Sequence, residues 1–175
     1  MDAPARKVLA RQLSSPVAAL GTLDGDAPRV SMVPVAPAPA LGGFMIHVSR
    51  LAAHTRDLEA DPRASLMWTA PWEGQDPLAL PRVTVGCTAE PVSEAEEEAA
   101  TRAYLSRFPQ AEPLLAFPDF ALWRLKPGPA RLVAGCGNRT LVDDIRAEAA
   151  ERYPHAAFLE LFADAGDGPD GAGDR

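Results

Sequence analysis

Residues 47–56 concentrate most of the side chains that could bind an anion. This stretch carries two imidazoles, two hydroxyls and two guanidinium groups directly after a short apolar run. Hydroxyls and guanidinium groups donate hydrogen bonds to phosphate oxygens, and the first turn of a helix adds unpaired N–H groups. Ser49 with Arg50 or Arg56 could therefore hold a phosphate at a strand-to-helix junction, and Arg29 could reach it from a neighbouring strand. The same residues also suit an ordinary helix start, with Ser49 as N-cap and the arginines in solvent.

The elements that would position this junction are mostly short strands. The Asp24-Gly25 dipeptide predicts a hairpin, and Pro34 predicts an edge strand or a bulge. The predicted strands cover residues 17–23, 29–35, 44–48, 64–68, 83–89, 120–125 and 130–133, the last two joined by a turn at 126–129. Hairpin-type connections favour antiparallel pairing. We therefore predict a mainly β (α+β) fold, an antiparallel barrel of six or seven strands with helices at its ends.

Helices are predicted over residues 5–13, 50–60, 93–107 and 141–152. Ser93 and Glu96 have the spacing of a capping box at the start of the third helix, and the glutamates at 94–98 suit a solvated helix start. Residues 1–163 are predicted to form one domain, and the Gly- and Asp-rich residues 164–175 a disordered tail.

Composition excludes several classes of function. The 175 residues carry 17 basic and 24 acidic side chains, a net charge of −7, which disfavours nucleic acid as a ligand. No apolar run approaches the ~20 residues that span a bilayer, and the first residues do not suit a secretory signal, so we expect a cytoplasmic protein. Cys87 and Cys136 lack the spacing of a metal site.

Other kinds of active site find little support. The chain contains no GxSxG elbow, no GxGxxG motif and no P-loop, so no catalytic residue is assigned. Met32, Met67, Trp68 and Trp123 are predicted to lie in the hydrophobic core. The residues alone thus predict a β-barrel domain with one anion site.

Seven segments then follow one another in an order typical of a known family. They are Arg29–Val35, Ser49–Leu58, Asp61–Met67, Asp76–Leu78, Pro81–Val85, Tyr104–Pro109 and Asp119–Leu125. Over residues 5–137 the chain resembles the pyridoxamine 5′-phosphate oxidase-like FMN-binding split-barrel superfamily, in particular its haem-iron utilisation branch. The resemblance implies a homodimer of split barrels with FMN at the subunit interface and a small-molecule substrate.

The resemblance also implies roles for individual residues. The flavin would be lined by Arg29, Val30, Ser31, Met32 and Val33, and its phosphate would be held by Ile46, His47, Ser49, Arg50, His54 and Thr55. Counting from the serine places Ser49 and Arg50 on the phosphate, whereas counting back from Pro62 places His54 and Thr55 there. Either register has one cation fewer than the oxidase pattern.

Other features separate this chain from pyridoxamine phosphate oxidation itself. Tyr104 and Arg107 resemble the substrate-phosphate pair but stand one residue closer together, and the lysine expected after the flavin-lining strand falls near Pro34. The main hypothesis is an FMN-binding oxidoreductase of unknown substrate. An alternative is a haem-binding or haem-degrading protein that uses the same dimer cleft, with His155, His54 or His47 as iron ligand and His155 favoured. A third is a cofactor-free dimeric binding module.

Overall fold

A computed structural model describes residues 3–133, with side chains from Lys7 onward. This part of the chain forms one seven-stranded antiparallel sheet with three α-helices around it. The helices are α1 (Ala3–Leu13), α2 (Ala53–Ala60) and α3 (Glu97–Arg107). The strands are β1 (Val17–Asp24), β2 (Ala27–Pro34), β3 (Ala36–Ala38), β4 (Gly43–Ser49), β5 (Arg63–Thr69), β6 (Arg82–Pro91) and β7 (Phe120–Val133).

The strand order across the sheet is β2-β1-β5-β6-β7-β4-β3. Its two outermost strands, β2 and β3, are separated in the chain only by Val35, so one bent run of chain forms both edges of the sheet. The open edge confirms the predicted split barrel, and β2 is the edge strand that Pro34 predicted. Strands β2 and β4 are not neighbours in the sheet, contrary to the arrangement in which Arg29 would reach the junction from an adjacent strand.

Two hydrophobic clusters pack on opposite sides of β4, which is buried on both faces. Phe44, Ile46 and Val48 point into the barrel, where Phe44 lies 5.2 Å from the ring of Trp68. Met45 packs on the other side with Ala100 and Tyr104 of α3 and with Leu122. Because both faces of β4 are covered, this strand fixes the position of whatever its C-terminal end carries.

Three predictions about elements are wrong in detail. Residues 120–133 form one continuous strand rather than two, because Pro127 and Gly128 are accommodated opposite an irregularity between Val85 and Cys87 of β6. The 36–38 strand was not expected. Ser93 donates to the Glu96 carboxylate at 2.7 Å instead of capping the helix, and α3 begins at Glu97.

The glutamates of this region are not all solvated. The Arg124 guanidinium, whose side chain is largely buried, forms ion pairs with Glu90 and Glu96 and donates to the Leu41 carbonyl at 3.1 Å. These contacts attach the start of α3 to β6, β7 and the turn before β4. The predicted helix at 141–152 and the tail at 164–175 lie outside the described residues. None of the helices formed by residues 3–133 is both long and apolar enough to cross a membrane.

Candidate functional site

The end of β4 is held by hydrogen bonds that occupy the Ser49 hydroxyl. Ser49 Oγ donates to Asp119 Oδ2 at 3.0 Å and accepts from the Leu51 backbone N–H at 3.1 Å. The Arg50 N–H donates to the Asp119 carbonyl at 2.6 Å, which binds this segment to the start of β7. Ser49 therefore organises the turn between β4 and α2 and is not the N-cap of α2.

The N-cap of α2 is Ala52, which offers no capping side chain. Thr55 Oγ1 donates to the Ser49 carbonyl at 2.6 Å, so this hydroxyl is also used within the junction. The backbone N–H groups of Ala53 and His54 have no acceptor among the described residues. Unpaired first-turn N–H groups together with the positive end of the helix dipole favour an anion.

Two exposed arginines stand beside this helix start. Arg56 donates to the Leu51 carbonyl at 2.9 Å, and the Arg50 side chain has no hydrogen-bond or ion-pair partner within residues 3–133. Neither guanidinium is paired with a carboxylate in that part of the chain. Both can therefore bind a negatively charged group without breaking an existing ion pair.

Arg29, by contrast, is already neutralised. Its Nε lies 3.1 Å from Asp57 Oδ2 and its terminal nitrogen pairs with Asp24. The same Asp57 oxygen accepts a hydrogen bond from Thr22 Oγ1 at 2.8 Å, and Asp57 is buried. This network joins α2 to β1 and β2. Arg29, which the sequence predicts to contact a cofactor, is therefore already engaged in contacts that hold these elements together.

The two histidines of this region have different surroundings. His47 is buried, with its ring 5.1 Å from Phe120 and 5.7 Å from Tyr104, and burial lowers the pKa of its imidazole. His54 is half-buried at the start of α2. Burial lowers the pKa of His54, and the nearby Asp57 carboxylate partly offsets this by raising it. Both imidazoles are therefore held toward the neutral form, the form that ligates iron.

The β2 residues predicted to line a flavin divide between two faces. Arg29, Ser31 and Val33 point toward the barrel interior, while Val30 and Met32 point outward and are 72% and 67% exposed. The Ser31 hydroxyl is buried without a hydrogen-bond partner in the described chain. The prediction that Met32 and Met67 are core residues is wrong, whereas Trp68 and Trp123 are buried as expected.

An apolar surface, which we call the outer face, is formed by the outward residues of β1, β2 and β5. The registers place Met32, Ala19 and Met67 in one row across the three strands. A second row contains Val30, Gly21 and Ser65, and the face also includes Val17. None of these seven residues is charged, and Arg63, the next outward residue of β5, borders the face and is paired with Asp61. The outer face can therefore contact an apolar ligand or another protein without desolvating an unpaired ion.

The predicted substrate pair is only partly accessible. Tyr104 is buried, its ring 5.1 Å from that of Phe108, and burial raises the pKa of its phenol. Arg107 donates to the Ser14 carbonyl just after α1, while its Nε is buried and has no partner in residues 3–133. Burial lowers the pKa of Arg107. The remaining predicted residue near the junction, Ile46, lies inside the barrel, and His155 lies outside the described residues.

These contacts decide how well each cofactor fits. For the phosphate of FMN, the hydroxyls of Ser49 and Thr55 and the guanidinium of Arg29 already have partners, which leaves the α2 N–H groups and Arg50 with Arg56. For haem, the requirements are an apolar surface, a neutral histidine and cations for two carboxylates. The outer face is such a surface, His54 is held toward the neutral form, and Arg50 and Arg56 are the cations. Within residues 3–133 no group of three His, Cys, Asp or Glu side chains is placed to hold a metal ion.

The described residues form an antiparallel split barrel with unpaired N–H groups and two exposed arginines after β4, and comparison with known proteins identifies the family of this fold. The family model described as pyridoxamine 5′-phosphate oxidase matches residues 4–134, so the chain belongs to this family. The resemblance to the haem-utilisation branch is confirmed as well. The structure of a heme binding protein from Mycobacterium smegmatis is 29% identical with a TM-score of 0.73, over 91% of this chain and 61% of that one.

Two further relatives carry haem in their names. HutZ, a heme storage protein from Vibrio cholerae, is 26% identical with a TM-score of 0.61, over 69% of this chain and 87% of that one. The noncanonical heme oxygenase HOZ of the Arabidopsis thaliana chloroplast is 38% identical over 108 residues. That alignment covers 62% of this chain and 32% of the relative. The chain therefore spans about a third of this curated relative.

Sequence reasoning missed two residues that shape the site. Asp57 and Asp119 are ordinary acidic residues in the sequence, and their partners Thr22 and Ser49 lie 35 and 70 residues away. Both lie in segments that carry the family resemblance, Ser49–Leu58 and Asp119–Leu125, but nothing in the local pattern indicates what either carboxylate binds. Pairing over such separations is set by the sheet topology, which local spacing does not encode.

Proposed function

We propose that this protein binds haem as a homodimer, with the tetrapyrrole in the cleft between the subunits, where the outer face of one subunit and the α2 start of the other would contact it. The proposal favours the haem alternative over the FMN hypothesis. The proposed activity is haem binding by the described barrel. Haem degradation is the reaction to test next, because bound haem iron supplies oxygen chemistry when a reductant is present.

The observation that carries the proposal is the exposed, uncharged outer face. Val30 and Met32 are more than two-thirds exposed on the edge strand, and Met67 lies in the same row. Large apolar side chains grouped on an exposed surface favour a binding role. A flat apolar macrocycle and a second subunit both match this chemistry, and a cleft between two subunits accommodates both.

The cations at the α2 start suit the carboxylate groups of haem. Arg50 and Arg56 are exposed and free of carboxylate partners within residues 3–133, as described above. A propionate carries a single negative charge and accepts hydrogen bonds from one guanidinium. A doubly charged phosphate would normally recruit hydroxyls too, and those of Ser49 and Thr55 are engaged.

The iron ligand is proposed among the histidines. His47 is a poor candidate because its ring is enclosed by Tyr104 and Phe120. His54 is half-buried with its pKa lowered, and it keeps the neutral imidazole that iron requires. His155, the ligand favoured on the sequence, lies outside the described residues and is tested by substitution.

Haem titration of the purified full chain tests the proposal. We expect a Soret band that saturates at one haem per subunit, and we expect His155→Ala or His54→Ala to shift the band and weaken binding at least ten-fold. His47→Phe serves as the control, because its ring packing is retained. Saturable binding followed by loss of the Soret band with ascorbate and oxygen would extend the assignment to degradation. Absence of saturable haem binding would exclude the proposed function.

FMN is retained as a second candidate because, within residues 3–133, the Ala53 and His54 N–H groups have no acceptor and the neighbouring Arg50 side chain has no partner. If FMN is the ligand, the protein should purify yellow, and added FMN should raise the melting temperature. Arg50→Ala should abolish that shift, while Arg102→Ala, an exposed arginine on α3, should not. No thermal shift with the wild-type protein would eliminate this candidate.

A further inference from the structure

The loop between β5 and β6, residues 70–81, is fixed by its own hydrogen bonds. Trp72 Nε1 donates to the Gln75 carbonyl at 2.8 Å, and the Gln75 amide oxygen accepts from the Glu73 N–H at 2.6 Å. Asp76 caps the following turn by accepting from the Leu78 N–H at 2.9 Å. The Ala70 N–H donates to the Pro81 carbonyl at 2.9 Å, which closes the loop at its base.

This loop nevertheless presents large apolar side chains to solvent. Trp72 is 66% exposed and Leu78 is 72% exposed, whereas the other two tryptophans, Trp68 and Trp123, are buried. Flexible loops can hide such side chains by rearranging, but here the indole N–H is anchored to the backbone of its own loop. The exposure is thus built into the loop conformation and points to an apolar partner surface.

The loop begins at one end of the outer face. It begins directly after Thr69, two residues beyond Met67, which lies in the outer-face row. Ala19 of β1 lies opposite Met67 of β5, and the two strands are antiparallel, so the start of β1 lies beside the end of β5. Val17 of β1 and its partner Pro34 of β2 are at this same end of the sheet. The loop therefore leaves the sheet at the end of the outer face that carries Val17 and Met67.

We propose that this loop is a dimerisation arm, in which Trp72 and Leu78 pack against a second copy of the chain; the inference rests on the homodimer of the proposed function. Three strands are about 14 Å wide, and seven residues are about 24 Å long, so the outer face projects about 340 Å². A standard interface buries roughly 800 Å² on each partner. Protruding side chains make the accessible area of the outer face larger than its projection, but the face alone is smaller than a standard interface.

The loop supplies part of the missing area. A single aromatic side chain can bury about 150–250 Å², and Leu78 adds a second apolar contact. The loop leaves the sheet where the face ends, so a partner that closes over the outer face with haem between the subunits can also receive the arm. Since a closed dimer uses the same surface on both subunits, two arms would contribute to each interface.

Analytical ultracentrifugation of the full chain tests the arm. We expect Trp72→Ser and Leu78→Ser each to weaken dimer association at least ten-fold. Leu114→Ser, an exposed leucine outside the loop and the outer face, should change it less than two-fold. Acrylamide quenching gives an independent readout on the unmodified protein, because Trp72 is the one exposed tryptophan of the three. The contribution of Trp72, taken as the difference from Trp72→Phe, should be quenched less in the dimer than after dilution.

The outcomes separate the arm from the function on which it rests. A wild-type protein that is dimeric while both serine variants associate normally, or whose Trp72 stays fully quenchable in the dimer, overturns the arm and leaves the homodimer standing. A wild-type protein that is monomeric at all concentrations overturns both. Haem titration is read separately, so loss of haem binding alone would contradict only the ligand assignment.

Discussion

The Thr22 hydroxyl donates a hydrogen bond to Asp57 Oδ2 across 2.8 Å, and Arg29 Nε approaches the same oxygen at 3.1 Å. One carboxylate on α2 thereby holds both β1 and β2. The helix start that carries His54 is positioned relative to the edge strand by this contact.

Replacing Asp57 with alanine should destabilise the protein strongly. The change removes the partner of a buried hydroxyl and of Arg29, and breaking a buried ion pair costs about 3–5 kcal/mol. Because the Arg29 side chain is 37% exposed, solvent screening reduces this, and we expect the free energy of unfolding to fall by about 2–3 kcal/mol. Urea denaturation measures it. Glu59→Ala, at an exposed position on the same helix, should stay within about 0.5 kcal/mol, and equal losses for the two variants would contradict the role of Asp57.

Stability should decline as the pH falls below about 6.5. Burial lowers the pKa of His47 and of His54 in the folded protein, while in the unfolded chain histidine titrates near 6.5. The unfolded state therefore binds more protons in this window, and the stabilisation present above pH 6.5 is lost as pH falls toward the folded pKa values. Urea unfolding between pH 8 and about 5.5 measures the slope. His47→Phe should flatten it, and an unchanged slope would show that His47 does not contribute.

Gly43 should not tolerate a side chain. A Cβ at this position would lie 2.5 Å from the Leu125 carbonyl oxygen, a backbone atom of the neighbouring strand. Gly43→Ala should lower the free energy of unfolding by about 2–3 kcal/mol because β4 and β7 must move apart. At Gly86 the nearest atom would be 3.5 Å away, so Gly86→Ala should cost less than about 1 kcal/mol. Comparable values for the two variants would refute the close approach.

Met32→Glu should separate folding from function. Met32 is exposed, so the free energy of unfolding should change by less than about 0.5 kcal/mol. Haem affinity should fall at least ten-fold, because a carboxylate on the outer face must be desolvated beneath an apolar ligand. Soret titration gives the affinity, with Leu114→Glu as the exposed control. An affinity equal to that of the wild type would place the haem elsewhere.

Local patterns predicted much of the fold. The Asp24-Gly25 dipeptide marked the β1–β2 hairpin, where Gly25 has a φ of +60° and Asp24 pairs with Ala27. The alternation of residues 83–89 matched the buried face of β6. The continuity of β7 was missed because Pro127 and Gly128 normally interrupt a strand, and only the irregular register opposite them accommodates both.

The candidate site was less predictable than the fold. Ser49 and Arg50 were located correctly at a strand-to-helix junction, but their hydrogen-bond partners depend on which distant segment the topology brings close. Met32 and Met67 were assigned to the core on hydrophobicity alone. Strand alternation turns them outward, onto a face that no other described element covers.

The connection through Val35 makes the two ends of the open edge between β2 and β3 different. Strands β2 and β3 carry no ladder between them, yet at this end they are joined covalently and cannot separate. At the other end of β2 no ladder within residues 3–133 joins it to β3 or β4, and there Asp57 of α2 contacts Thr22 of β1 and Arg29 of β2. The two ends of this edge are therefore held differently, one by the covalent link at Val35 and the other by a single buried carboxylate.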